Sequence, residues 1–156
     1  MRSILFSLVV VVFASACQQA GAAHAESAVA PLPEDEYTID LAAKGPYAAG
    51  RRGSVAITVA ARKGYHVNPD YPATFKPEGA EALKFAEERI KLTAGKNTPC
   101  AENAQVACAV EFPVAFTAER RGPARFAGML AFSVCTPKVC LIRKVPLTLA
   151  LNVDIE

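Results

Sequence analysis

The stretch FSVCTPKVCLIRKVPLTLALNV, Phe132 to Val153, decides how the chain is read. In its second half Val145, Leu147, Leu149, Leu151 and Val153 recur at every other position, with Thr148, Asn152 and Asp154 among the residues that face the opposite way. A period of two belongs to a strand with one face buried and the other wet. Phe126, Leu130, Phe132 and Val134 repeat the pattern upstream, and the intervening TPKV supplies a proline-containing turn. Cys135 and Cys140 fall where the first run ends and the second begins. They form either a staple that holds a hairpin shut or a redox couple displayed at its tip.

Moving outward, the same period governs the rest of 36–156. VACAVEFPVAFT places Val106, Cys108, Val110, Phe112, Val114 and Phe116 on one side, and Pro113 marks an edge or a bulge. EYTIDLA, SVAITVAAR with Val55, Ile57 and Val59 inward, and short pieces around Ala73 to Lys76 add further strands. EALKFAEERIKL reads as two short strands, although Leu83, Ala86 and Ile90 would also suit one helical face. KGPYAAGRRG, RKGYHVNPDYP, TAGKNTP and ERRGPA separate the runs. Seven to nine short strands with turn signals between them predict an all-β fold, an immunoglobulin-like antiparallel β-sandwich. Strand and helix do not alternate, which disfavours a thioredoxin-like or doubly wound sheet.

The N-terminus sets the compartment. Arg2 followed by the apolar run ILFSLVVVVFASA reads as a signal peptide over 1–16, too short to remain as a membrane span. ASAC ending at Cys17 resembles a lipoprotein box, with Ala14 where such boxes usually carry Leu, while AHA at Ala23 to Ala25 suits an ordinary signal peptidase. The lipoprotein reading is preferred because Cys17 directly abuts the apolar run. Residues 17–35 then form a tether, in which His24 is solvated, and 36–156 a single domain of the size one core can serve. An exported chain lies in an envelope or periplasmic space where disulfides persist. A lipid on Cys17 leaves four of the five cysteines, Cys100, Cys108, Cys135 and Cys140, and two disulfides become the default. The net charge of +2 falls to about +1 once Arg2 is lost, and neither sign forms a long block, so no nucleic-acid partner is expected.

Loop entropy does not separate the pairs, since closing 100 to 108 or 135 to 140 stabilises by roughly 2 to 3 kcal/mol either way. Phase does. Cys108 falls in step with Val106, Val110 and Phe112 and is expected to point into the core as a shielded half-cystine; Cys135 shares the face of Ser133 and is expected nearer solvent. Lys138, Arg143 and Lys144 surround the second pair with positive charge, which favours a thiolate. The chain has no CxxC, CxxCH, HExxH, GxSxG or phosphate-cradling glycine loop, so no cofactor is expected and sulfur is the reagent if there is chemistry. His66 could tune a thiolate or bind a metal, but a loop histidine beside Asn68 and Asp70 is the plainer reading. Tyr65 and Tyr71 pack under their loop, the arginine pairs Arg51, Arg52 and Arg120, Arg121 read as turn charges, and Glu87 and Glu88 find no catalytic partner.

FSVCTPKVCLIRKVPLTLAL, together with GYHVNPDYPATFKPEG, resembles the N-terminal periplasmic domain of the DsbD family of thiol-disulfide interchange proteins, over about 36–156. The resemblance implies an immunoglobulin-like domain whose redox couple is Cys135 and Cys140, with Cys140 attacking partner disulfides. It implies a cap loop bearing an aromatic residue, for which Tyr71 and Phe75 are the candidates, and a thioredoxin-like periplasmic partner. Relatives differ in the spacing of the pair and continue into a membrane-embedded electron carrier and a thioredoxin-like domain. Here the electrons would come from a separate membrane donor. Two other function classes stand beside interchange: a non-catalytic lipoprotein binding module with two structural disulfides, and a thiolate carrier of a soft metal such as copper.

Overall fold

A computed structural model describes residues 36–68, 71–79 and 81–154. The signal segment 1–16, the tether 17–35 with Cys17 and His24, and Asp70 lie outside the described residues. Every regular element described is a strand: β1 (Tyr37–Ala43), β2 (Tyr47–Ala48), β3 (Arg52–Ala61), β4 (His66–Val67), β5 (Thr74–Pro77), β6 (Leu83–Lys84), β7 (Ile90–Lys91), β8 (Lys96–Pro99), β9 (Ala107–Ala118), β10 (Gly122–Cys135) and β11 (Cys140–Asp154). Eleven strands exceed the seven to nine expected. The surplus comes from two-residue strands such as β2 and β4, too short to show an alternation in sequence. EALKFAEERIKL does split into two strands, β6 and β7.

β1, β3 and β9 form one layer, with β6 and β8 also paired to β9. β2, β11, β10, β5 and β7 form the other. The single parallel pairing described is β2 with β11. β4 pairs with β9 at Ala107 and with β10 at Val134 and Cys135, and so stitches the two layers at one end. The architecture is an immunoglobulin-like antiparallel sandwich.

Alternation supplies the core from both layers. Val55, Ile57 and Val59 of β3 are fully buried, and Val145, Leu147, Leu149, Leu151 and Val153 of β11 are buried while their neighbours are exposed. Phe116 of the first layer meets Phe126 of the second at 6.4 Å between ring centroids, and Tyr37 of β1 sets its ring edge-on to Phe132 of β10 at 4.9 Å. Pro113 sits in β9 opposite Ala56, on a stretch that neither β8 nor β6 reaches, so its missing N–H breaks no ladder on that side.

Phe75 belongs to this core. It lies in β5 opposite Leu130, has no exposed surface, and stacks on Phe126 at 4.9 Å with the rings nearly parallel. It is therefore no cap for the cysteines: Leu130 is five residues from Cys135, about 16 Å along the strand. The reason is one of phase, because β5 is itself a strand of the second layer and Phe75 is on its inward face.

Candidate functional site

The β10–β11 hairpin ends in the turn Thr136 to Val139, and Thr136 ties it. Its N–H donates to the Val139 carbonyl at 2.8 Å, while its hydroxyl accepts the N–H groups of Lys138 at 3.2 Å and Val139 at 3.1 Å. The last rung before the turn is Cys135 opposite Cys140. The two are joined as a disulfide, with Cα atoms 4.0 Å apart. Close approach of directly opposed residues is what an antiparallel ladder offers at its narrow pairs.

The two sulfurs meet different surroundings. Cys140 is exposed, and on either side of it stand Val139 and Ile142, the exposed large hydrophobic residues of the described chain, at 52% and 56% exposure. Cys135 is 2% exposed, contrary to the expectation that it lies near solvent. Its phase is as expected, on the outer face with Ser133, but that face is covered at this end of the sheet. β4 runs along β10 here, and Asn68 reaches over the pair: its N–H donates to the Ser133 carbonyl at 3.0 Å and its side-chain amide lies 3.8 Å from Cys140 Sγ. The Ser133 hydroxyl lies 3.9 Å from Cys135 Sγ. Periodicity reports which face a side chain takes, and the side chains that a two-residue strand brings in alongside it are invisible to it.

The second disulfide joins Cys100 to Cys108, with Cα atoms 4.7 Å apart, and ties the end of β8 to β9. Cys108 is half-buried rather than core-facing; its partner Cys100 is the more enclosed, at 7% exposure. A register shift explains the correction. Thr98 stands opposite Ala109 and Pro99 opposite Ala107, so Cys108 is the extra residue of a bulge, and Ala107 and Val110 take the inward positions.

Of the three cations near the couple, Arg143 is committed elsewhere. Its guanidinium clasps the Glu36 carboxylate through two hydrogen bonds, the one from Nε at 2.7 Å. Lys138 and Lys144 are exposed. Tyr71 stands with Asn68, Leu92 and Phe112 on the wall of an open cleft. His66 is where the structure adds most. It is not a loop residue but part of β4, in register with Cys135, and with Tyr65, Cys100, Glu102 and Pro137 it lines a cavity of about 400 Å³. The paired strand was too short to recognise in sequence, so the suggestion that His66 could tune a thiolate had no particular cysteine attached to it. Arg120 is ion-paired with Glu81 at 3.0 Å. Among the described residues no group of three His, Cys, Asp or Glu side chains converges to hold a metal ion, and no helix is long and apolar enough to cross a membrane.

Fold and site together define an all-β, disulfide-bonded domain with one cystine at a hairpin tip. No model of a protein family matches the chain, and no curated protein does. Among solved structures it is similar to the ASH/PapD-like domain of human CEP192, at 9% identity and a TM-score of 0.34, over 82% of this chain and 94% of that one. It is also similar to AggA, the major subunit of aggregative adherence fimbriae type I from Escherichia coli, at 10% identity and a TM-score of 0.33, over 76% of this chain and 96% of that one. Likenesses this distant bear on neither ligand nor activity.

Proposed function

We propose that the chain is a thiol-disulfide interchange module of the cell envelope, which passes electrons through Cys135 and Cys140 to or from a thioredoxin-like partner. The observation that carries the reading is the asymmetry of the pair: Cys140 is exposed between Val139 and Ile142, whereas Cys135 is buried behind it. Exchange needs one sulfur that a partner can reach in line and a second held back to resolve the mixed disulfide. An apolar margin around the reachable sulfur gives a partner surface to cover. The resemblance to the DsbD N-terminal domain assigns the same roles, and a separate membrane protein would supply the electrons. On this reading the chain is exported and held at a membrane by a lipid on Cys17.

One observation favours the rival, a lipoprotein binding module with two structural disulfides. Cys135 and Cys140 form the terminal rung of the longest strand pair, where a covalent bond closes the hairpin whether or not it ever opens.

Trapping separates the two. Expressed in its own envelope and analysed by non-reducing electrophoresis and mass spectrometry, Cys135→Ala accumulates a reductant-sensitive adduct with a thioredoxin-like protein, because the attacking Cys140 has lost its resolving partner. Cys140→Ala accumulates little or none. Cys108→Ala loses a few kcal/mol of stability with its disulfide and traps nothing. If no variant yields an adduct and the wild-type pair stays oxidised in the cell, the staple reading holds.

A further inference from the structure

We infer that His66 is the proton acceptor for the Cys135 thiol in the step that resolves a mixed disulfide on Cys140. The inference rests on the interchange reading and adds to it a residue that carries protons to and from the buried sulfur.

The register places the three residues in one row. Cys140 of β11 stands opposite Cys135 of β10, and Cys135 stands opposite His66 of β4 on its other side. Directly opposed residues share a face, with Cβ atoms about 4.5 to 5.5 Å apart. The face is settled by the next rung, where Val67 and Val134 are both buried in the core, so His66 and Cys135 project to the outer side. An imidazole on that rung is within reach of the neighbouring sulfur.

The chemistry calls for such a group. After Cys140 has attacked a partner disulfide, Cys135 must attack Cys140 Sγ in turn. The bond between Cys135 Sγ and Cys140 Sγ forms, the bond between Cys140 Sγ and the partner sulfur breaks, and the partner leaves as a thiolate. The proton of the Cys135 thiol must go somewhere, because only the thiolate is the nucleophile. With Cys135 at 2% exposure, bulk water has little access to it. Among the described residues, the polar neighbours of the couple on β10 and beyond β4 are the Ser133 hydroxyl beside Cys135 Sγ and the Asn68 amide beside Cys140 Sγ, neither of them a base at neutral pH. Cys108, beside Ala107 on β9, is bound in its own disulfide. Lys138 at the hairpin tip is exposed, and Tyr65 and Glu102 line the cavity without a place in the row. Among the described residues, His66 alone is both in register with Cys135 and on the wall of that cavity, so it links the shielded sulfur to open space where the proton can be released.

The test follows the two steps separately in the full-length chain. Reduced protein is mixed with the aromatic disulfide 5,5′-dithiobis(2-nitrobenzoate), quenched in acid at intervals, and the thionitrobenzoate adduct on the Cys140 peptide is followed by mass spectrometry. In the wild type the adduct forms and then decays, and the decay rate is followed against pH. In His66→Gln formation is unchanged, which also reports that the hairpin is intact. Decay at neutral pH slows by about a hundredfold, the lower end of what general-base catalysis contributes, and its rate goes on climbing with alkali. Free imidazole restores decay in His66→Ala. An unchanged decay rate and pH profile in His66→Gln overturns the role of His66 while leaving interchange standing. An adduct that never decays in the wild type overturns interchange itself.

Discussion

Arg143 and Glu36 show what single residues do to a site that sequence reads only by proximity. Arg143 is three residues from Cys140, and its charge was expected to favour a thiolate; instead its guanidinium holds Glu36, 107 residues away in the chain, and pins the start of β1 to β11. Glu36 loses its proton more readily than an ordinary glutamate, whose value is 4.5: the hydrogen bond from Arg143 holds it down, burial works against this, and the attraction of the charge adds to it. A carboxyl lowered on folding contributes stability that is complete above the unfolded value and lost as pH falls through the folded one. Glu36→Gln is therefore expected to lower stability by on the order of 1 kcal/mol at neutral pH. Its deficit relative to wild type should shrink as pH drops below 4.5. Urea midpoints of the two proteins across that range measure it. Cys135 and Cys108 teach the complementary lesson. The phase of Cys135 was legible and that of Cys108 was not; the shielding of one and the bulge at the other came with β4 and β8, whose pairings no local pattern encodes.

At the scale of elements, the long strands were legible and the short ones were not. β9, β10 and β11 carry 12 to 15 residues each, enough for alternation to declare a face. β4 has two residues, yet it joins the layers and sets His66 beside Cys135. β5 has four, and read alone it left Phe75 free to be mistaken for a cap. The seating of β5 against β10 depends on Gly128. It stands opposite Pro77, and a Cβ there would run into the Lys76 carbonyl and come within 2.5 Å of the Phe75 ring. Gly128→Ala must push β5 outward and unstack Phe75 from Phe126, which is expected to destabilise by about 1 to 3 kcal/mol. Thermal unfolding would register the loss. An alanine tolerated without cost would mean that β5 is not seated as described.

For the whole molecule, the sandwich was readable because one rule, burial of every second residue, repeats through both layers. What the rule does not convey is where the layers are stitched, and the cystine lies at that stitch. β4 closes one end of the sandwich against both β9 and β10, so Cys135 is shielded by the architecture while Cys140, one strand further out, stays open. The same geometry brings the neighbourhood of the second disulfide to the same cavity, through Cys100. Two cystines of one domain thus share an end, and the account assigns them different work. The measurement that tests this most directly is the reduction potential of each pair, followed by alkylation and peptide mass spectrometry across a graded series of thiol redox buffers. Cys100–Cys108 is expected to resist reduction, below about −300 mV as structural disulfides do, and Cys135–Cys140 to open at a distinctly less negative potential. Two pairs that resist equally would contradict it.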